Sequence, residues 1–309
     1  MSGDTVGEVG EGALLGRIFP RLPESASTLL GPGDDAAVIA APDGRFVVTT
    51  DMMVHGPDFR LAWSTPFDLG WKAAASNLSD VAAMGAVPTA LVVALAAPPD
   101  TPVSFHEGFA DGMREACAEL APGCGVVGGD LSASDTLTVS VTAFGDLEGR
   151  SPVTRSGARP GDAVAVAGVL GAAAAGLRML FEHGVRDVTP MRGWAEVEAQ
   201  LQPRPPIHSG RDAALAGATS MIDLSDGLAL DAARVAKASG VAIDLSPELT
   251  PEELTGGEDH SLLATFAGEV PEGFRVIGRV VEGTGLLVGG RPFEARGWDP
   301  FSGWDGEAG

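Results

Sequence analysis

A polar stretch rich in glycine and proline, residues 149–162, interrupts the chain between two long apolar regions. On each side of it, short runs of small and β-branched apolar residues alternate with longer segments that carry apolar residues at helical spacing. Strands and helices mixed in this way in both halves predict an α/β fold, of α+β type in the first half. We therefore expect two domains, at 1–148 and 149–309.

The longest predicted helix, at 67–84, begins next to Pro66, a residue that favours the first turn of a helix. The strand predicted at 136–144 alternates apolar and polar residues, and half-exposed strands of this kind are usually antiparallel. The N-terminal domain is therefore expected to hold a mixed or antiparallel sheet, and the C-terminal domain to be α/β. The other predicted helices are 12–21, 104–120, 171–181, 209–215 and 227–238, and the other predicted strands are 36–40, 46–51, 90–96, 163–167, 220–224, 241–245, 262–266, 276–281 and 286–288.

Acidic residues outnumber basic residues by 42 to 20, which gives a formal charge of −22. A surface of this sign is repelled by nucleic acids and by anionic membranes, so neither is expected as a partner. The two cysteines, Cys117 and Cys124, are expected to be free thiols in a reducing compartment. The first residues lack the basic start and apolar run of a signal peptide, and no apolar stretch is long enough to span a bilayer. These features predict a cytoplasmic protein.

Many of the acidic residues stand in short motifs that are flanked by glycine and bordered by apolar residues, at the ends of predicted strands or helices. Loops at such positions present side chains to a ligand. Six carboxylate motifs in one chain favour a bound cation, because neighbouring carboxylates repel one another. Oxygen ligands without His or Cys partners are typical of Mg²⁺ or Mn²⁺. The motifs are GPGDDAAVI, VVTTDMM, SNLSDVAAMG, VVGGDLS, MIDLSDGL and TGGEDHSLL.

Hard divalent cations held by carboxylates commonly bind phosphates, and this acidic chain would otherwise repel a nucleotide. The sequence has no P-loop, since Lys72 and Lys237 are each followed by Ala and lack a glycine-rich lead, and GVVGGD has the wrong spacing for a dinucleotide fingerprint. The Gly-Gly and Asp-Gly segments are predicted to be turns whose backbone N–H groups hold phosphate oxygens. The sequence thus predicts phosphoryl chemistry by metal positioning. No nucleophile is evident in the motifs, so we expect direct, in-line transfer in a ternary complex.

The run NLSDVAAMGAVP, with GDDAA before it and GGD, IDLSDGL and GGED after it, resembles the bacterial thiamine-monophosphate kinase family in motif and order. That family shares a superfamily with aminoimidazole ribonucleotide synthetase and selenophosphate synthetase, and the resemblance covers residues 31–301. It implies an enzyme that uses Mg²⁺ and transfers the γ-phosphate of ATP directly to thiamine phosphate, giving thiamine diphosphate and ADP. It further implies a homodimer in which the N-terminal domains pack together.

The resemblance implies a role for each residue that matches a motif. Residues implied to contact the nucleotide are Gly129, Asp130, Arg155 and Ser225. Residues implied to be catalytic are Asp130, Arg155 and Asp223. Residues implied to contact the thiamine moiety are Glu258, Trp298 and Asp58, the last at a position where the family usually has His. Residues implied to bind several Mg²⁺ ions are Asp35, Thr49, Thr50, Asp51, Asp80, Asp130, Asp223 and Asp226.

Two alternatives stay open on the sequence. The first is another ATP-using enzyme of the superfamily. Selenophosphate synthetase requires a reactive Cys or selenocysteine in an N-terminal glycine-rich loop, whereas this chain has no Cys before Cys117, and aminoimidazole ribonucleotide synthetase differs at NLSDVAAMG. The second is a catalytically silent homologue that binds nucleotide or metal as a regulator. The chain also departs from the family at GGEDH, where His260 replaces tyrosine.

Overall fold

The computed structural model describes residues 4–9, 11–30, 38–182 and 191–297, so Asp35 and Trp298 lie outside the described residues. The elements of the N-terminal half are α1 (Val6–Val9), α2 (Glu11–Ile18), β1 (Thr28–Leu30), β2 (Val38–Ile39), β3 (Val47–Val54), α3 (Pro66–Ala83), β4 (Val87–Ala97), α4 (Val103–Leu120), β5 (Gly125–Ala133) and β6 (Thr138–Asp146). Those of the C-terminal half are β7 (Ala163–Ala167), α5 (Ala172–Glu182), α6 (Ala195–Leu201), α7 (Ile207–Leu215), β8 (Ser220–Leu224), α8 (Leu228–Ser239), β9 (Ala242–Leu245), α9 (Pro251–Thr255), β10 (Ser261–Phe266), β11 (Phe274–Val281), β12 (Gly285–Val288) and β13 (Arg291–Pro292).

The N-terminal half is built on a four-stranded sheet with the order β3-β6-β4-β5. Strand β6 is antiparallel to both β3 and β4, whereas β5 runs parallel to β4. The alternation predicted for β6 is present, because Val139, Val141 and Ala143 are buried while the residues between them are partly exposed. The prediction of a mixed sheet in this half is confirmed.

Helix α3 lies at the centre of the molecule. Its N-terminus is capped by Thr65, whose hydroxyl accepts a hydrogen bond from the Asp68 N–H, while the Asp68 carboxylate accepts one from the Thr65 N–H. Nearly every residue of the helix is buried, as expected for a helix enclosed on all sides. Its core is continuous with Met221 of β8 and with Leu262 and Phe266 of β10. Neither α3 nor any other helix in the described ranges is long and apolar enough to cross a membrane.

The C-terminal half is built on a seven-stranded sheet with the order β13-β12-β9-β11-β7-β10-β8. Strands β9 and β12 are parallel, and the other neighbouring pairs are antiparallel. Helix α8 covers part of the sheet, since Leu228, Ala232 and Val235 share a core with its strands. This α/β half confirms the predicted fold class. The domain boundary at 148/149 stays a prediction. One hydrophobic core contains residues from both sides of that boundary, those of α3 on one side and those of β8 and β10 on the other.

The structure differs from the sequence prediction at the nine-residue strand β5, which is not predicted, and in several short elements. The Gly-Gly-Asp segment, predicted to be a turn, lies inside β5. There Gly129 packs closely against β4, where a Cβ at this position would lie 2.1 Å from the Val93 carbonyl oxygen. The sequence pattern also does not predict α6 or α9, which are too short for helical spacing to show clearly.

Candidate active site

Two carboxylates of the N-terminal half meet between β3 and α3. Asp51 lies on the face of β3 that packs against the helix, and its backbone N–H donates to Asn77 Oδ1 at 3.2 Å. Asp80 lies one turn farther along α3, where Thr49 Oγ1 donates to its Oδ2 at 2.8 Å. Asn77 is itself fixed, because its Nδ2 donates to the carbonyl of Ala73. These bonds fix the Asp51 backbone and the Asp80 carboxylate at the contact between β3 and α3.

Asp223 and His260 of the C-terminal half lie beside α3. Both side chains are buried, Asp223 near the end of β8 and His260 just before β10. His260 Nδ1 lies 3.5 Å from Asp223 Oδ2, and its Nε2 lies 3.1 Å from Ser76 Oγ on α3. The backbone carbonyl of His260 accepts a hydrogen bond from Ser79 Oγ at 3.1 Å. This network joins β10 to α3 and fixes the position of Asp223.

The turn between β8 and α8 contributes Ser225 and Asp226. Arg234 Nη1 lies 2.6 Å from Asp226 Oδ2 and 2.6 Å from Asp231 Oδ1. The Asp226 N–H also donates to Asp231 Oδ2 at 3.2 Å. Helix α8 therefore anchors the turn through Arg234 and Asp231, since a bridging guanidinium fixes two carboxylates at once.

The carboxylates of the two halves shift one another's pKa values. Burial, together with the charges of Asp223 and Asp51, raises the pKa of Asp80 to about 7. Burial also raises the pKa of Asp51, an effect that His260 opposes and that Asp223 and Asp226 strengthen. The two halves thus share one electrostatic environment, and a cation among these oxygens would relieve the repulsion. Among the described residues, no three Asp, Glu, His or Cys side chains are grouped so that they could hold a metal ion by themselves.

Two cavities adjoin at this carboxylate cluster. The smaller, of about 130 Å³, is lined by apolar side chains such as Met53 and Val141 and by a group of polar ones, which includes Asp51, Asn77, Ser225, Asp226 and His260. The larger, of about 440 Å³, carries the apolar side chains Trp63, Leu177, Leu180, Phe181 and Leu201. Asp58, Lys72 and Glu258 line both cavities. An apolar pocket with a few polar groups at one end is typical of a small-molecule site.

An ion pair stands at the border between the cavities. Lys72 Nζ lies 2.9 Å from Glu258 Oε1, and the Lys72 side chain is 7% exposed. Gln200 Nε2 donates to the other carboxylate oxygen of Glu258 at 2.5 Å. Burial alone would raise the pKa of Glu258, but Lys72 and Gln200 lower it. Gln200 Oε1, in contrast, is buried without a hydrogen-bond partner in the described part of the chain.

The structure gathers most of the residues that the sequence predicts for the site. It brings together Thr49, Asp51, Asp58, Asp80, Asp223, Ser225, Asp226 and Glu258. Thr50 and Asp130 project from the opposite face of the N-terminal sheet, by the register of β3, β6, β4 and β5. Gly129 lies beside Asp130 in β5, and Arg155 is exposed in the segment between β6 and β7. The roles implied for all these residues stay predictions.

Sequence reasoning missed several residues that line the cavities. Lys72 is one of two lysines in the chain and lies on a helix whose apolar residues predict core packing. Its rarity and its place amid apolar neighbours are a signal that could have found it, since lysine is almost never buried unless it is paired. Asn77, Gln200 and Trp63 carry no such signal, because only the folded chain places them beside the carboxylates.

Comparisons with known proteins agree with this arrangement. Residues 33–147 match the family model described as AIR synthase related protein, N-terminal domain. The chain is 45% identical to thiamine-monophosphate kinase of Mycobacterium tuberculosis, over 97% of this chain and 92% of that protein. The crystal structure of thiamine-monophosphate kinase from Stenotrophomonas maltophilia K279a is similar, with a TM-score of 0.79, 32% identity and coverage of 92% of this chain and 98% of that one. The structure of AaThiL complexed with AMPPCP and TMP gives a TM-score of 0.74 at 33% identity, with coverage of 94% and 97%. The chain belongs to the thiamine-monophosphate kinase family.

Proposed function

We propose that this chain is a kinase that transfers the γ-phosphate of ATP to thiamine phosphate, giving thiamine diphosphate and ADP. The observation that carries this proposal is the pair of adjoining cavities, one lined by carboxylates and the other apolar. A nucleotide and an acceptor bound in them would bring their phosphates together at the shared border. Family membership and the AaThiL complex with AMPPCP and TMP support the choice of both substrates.

The larger cavity suits the rings of thiamine phosphate. Its walls combine aliphatic side chains with Trp63 and Phe181, whose rings meet edge to face at 4.8 Å. The unpartnered Gln200 Oε1 is available, among the described residues, to accept a hydrogen bond from the amino group of the pyrimidine ring. The carboxylate of Glu258 lies at the end of the cavity where the cationic thiazolium ring would bind. The cavity therefore offers both shape and charge to this acceptor.

The smaller cavity suits the phosphates of ATP with Mg²⁺. We propose as ligands Asp51 and Asp226, which line the cavity, together with Asp80 and Asp223, whose charges act on Asp51 or on each other. When bound, Mg²⁺ would screen the carboxylates from the nucleotide and stabilise charge on the transferring phosphoryl group. The protein's own contribution is positioning. His260 holds Asp223 in place, and the two halves keep the carboxylates preorganised.

We propose direct transfer without a phosphoenzyme. Ser76, His260 and Asp223 are spaced like a hydrolytic triad, so Ser76 is a candidate nucleophile among the described residues. Its hydroxyl, however, donates to the carbonyl of Lys72 at 3.0 Å. Burial opposes a charge on His260, but the hydrogen bond and charge of Asp223 raise its pKa. A serine nucleophile must give its proton to the base, whereas the Ser76 hydroxyl proton here is directed at the Lys72 carbonyl and not at His260 Nε2.

We also propose that the chain forms a homodimer through the open face of the N-terminal sheet. Val48 and Met52 project from this face of β3 and are 54% and 61% exposed. Phe46, just before the strand, is 55% exposed. Exposed large apolar side chains grouped in this way favour a protein interface.

The test is an assay with ATP, Mg²⁺ and one acceptor at a time: thiamine, thiamine phosphate or hydroxymethylpyrimidine phosphate. We expect thiamine diphosphate from thiamine phosphate alone, identified by mass, and its loss in EDTA with recovery on adding Mg²⁺. With γ-labelled ATP and no acceptor, no label should remain on the chain. Phosphorylation of another acceptor would point to a different kinase, and binding of ATP without any product would favour the silent regulator.

A further inference from the structure

The Lys72–Glu258 ion pair stands where the acceptor must bind. Lys72 projects from α3, which is enclosed by both halves, and its ammonium faces both cavities. Glu258 is 32% exposed and therefore open to a ligand, whereas Lys72 is almost fully buried. A buried ion pair is sensitive to a change of partner, because either charge alone is poorly solvated there.

The two members of the pair are held differently. Glu258 is fixed without Lys72, because Gln200 donates to its second oxygen and its backbone N–H donates to the Ser225 carbonyl at 2.8 Å. Lys72 has a long flexible stem and a compact charge, so its ammonium can move while its Cα stays in the helix. A ligand can therefore take the place of the ammonium at Glu258 without dismantling the site.

Thiamine phosphate carries the two charges that would satisfy this pair, a cationic thiazolium ring and an anionic phosphate. We infer that acceptor binding exchanges the partners of the ion pair: the thiazolium ring replaces Lys72 at Glu258, and the freed Lys72 ammonium binds the acceptor phosphate. This inference rests on the proposed function for the identity of the acceptor. It assigns to Lys72 the recognition of the phosphate that distinguishes thiamine phosphate from thiamine.

The exchange has a consequence for thiamine itself. Thiamine brings the cation without the phosphate, so its binding separates Lys72 from Glu258 and supplies no anion to the ammonium in exchange. In the wild-type chain Lys72 therefore competes with thiamine, while it assists thiamine phosphate. Removing the ammonium should affect the two ligands in opposite directions, which a purely structural role for Lys72 would not do.

The test measures dissociation constants for thiamine and thiamine phosphate by calorimetry, with EDTA and without ATP. In Lys72→Met we expect thiamine phosphate to bind about 10- to 100-fold more weakly, as for a lost hydrogen bond to a charged group. Thiamine should bind equally well or more tightly. Glu258→Gln should weaken both ligands, and Lys237→Met, which changes the other and exposed lysine, should weaken neither. Equal weakening of both ligands in Lys72→Met, or no change in either, would overturn the exchange.

A second measurement needs no variant and covers the case in which Lys72→Met does not fold. In the wild-type chain, saturating inorganic phosphate should tighten thiamine binding severalfold at constant ionic strength, because each ligand frees one charge for the other. A thiamine dissociation constant that phosphate leaves unchanged would contradict the exchange. Neither measurement depends on turnover. Formation of thiamine diphosphate without this coupling would reject the exchange and leave the proposed function standing, whereas failure to form it would reject the proposed function.

Discussion

Asp80, a proposed Mg²⁺ ligand, lowers the stability of the metal-free chain when it is ionised. With a pKa near 7 it binds a proton in the folded chain over a pH range in which an unfolded aspartate is ionised. Its contribution to stability is therefore complete below about pH 4 and is lost as the pH rises toward 7. Above that pH the folded chain holds a charge that burial and neighbouring carboxylates disfavour.

Asp80→Asn should therefore stabilise the metal-free chain at pH 8. The amide keeps an oxygen that can accept the Thr49 hydrogen bond but carries no charge. We expect the melting temperature in EDTA to rise by about 2 °C or more, and the difference from wild type to shrink as the pH is lowered toward 4. A variant that melts below wild type at pH 8, or equally far above it at every pH, would contradict this account of the site.

At the scale of secondary structure, the contact between α3 and α4 depends on two glycines. A Cβ on Gly112 would lie 2.0 Å from the carbonyl oxygen of Phe67, and one on Gly70 would lie 2.0 Å from that of Phe109. The two backbones touch at these points. This close packing holds α3 rigidly under the sheet that carries Asp51.

Gly112→Ala should therefore destabilise the chain by about 1–3 kcal/mol, the usual range for overpacking, because the helices must separate. Thermal or denaturant unfolding measures this change. Gly16→Ala is the matched control, since that helical glycine has open space around its Cβ position and alanine favours the helix. Gly112→Ala with the stability of the control would show that α3 and α4 do not pack as described.

The elements that could be predicted are those with a strong local pattern. Helix α3 has a capping signal and a long apolar run, and β6 alternates cleanly, so both lie close to their predicted ranges. Helix α9 is not predicted, although its N-terminus carries a capping box in which Thr250 and Glu253 bond reciprocally, because the helix is too short for apolar spacing to support that signal. The Gly-Gly-Asp segment favours a turn by composition, and its place in β5 is decided by contact with β4, which local sequence does not encode.

At the scale of the whole molecule, the acidic motifs predict a carboxylate site but not which motifs meet. Asp51 and Asp223 are brought together because α3 packs against both sheets, a long-range arrangement that spacing along the chain does not reveal. The same arrangement creates the Lys72–Glu258 pair from residues far apart in sequence. The residue types thus predict the kind of site, whereas the set of residues that meet in it depends on the fold and cannot be predicted from local sequence.

The central claim is that phosphoryl transfer requires carboxylates from both halves at one site. The most direct measurement is the initial rate of thiamine diphosphate formation by Asp80→Asn and by Asp223→Asn, with ATP, Mg²⁺ and thiamine phosphate at saturation. The control is Asp212→Asn, which changes an exposed carboxylate on α7. We predict that each site variant is slower than wild type by about 100-fold or more, as for the loss of preorganised charge stabilisation, and that the control keeps the wild-type rate. A near wild-type rate in either site variant would contradict a catalytic site shared between the two halves.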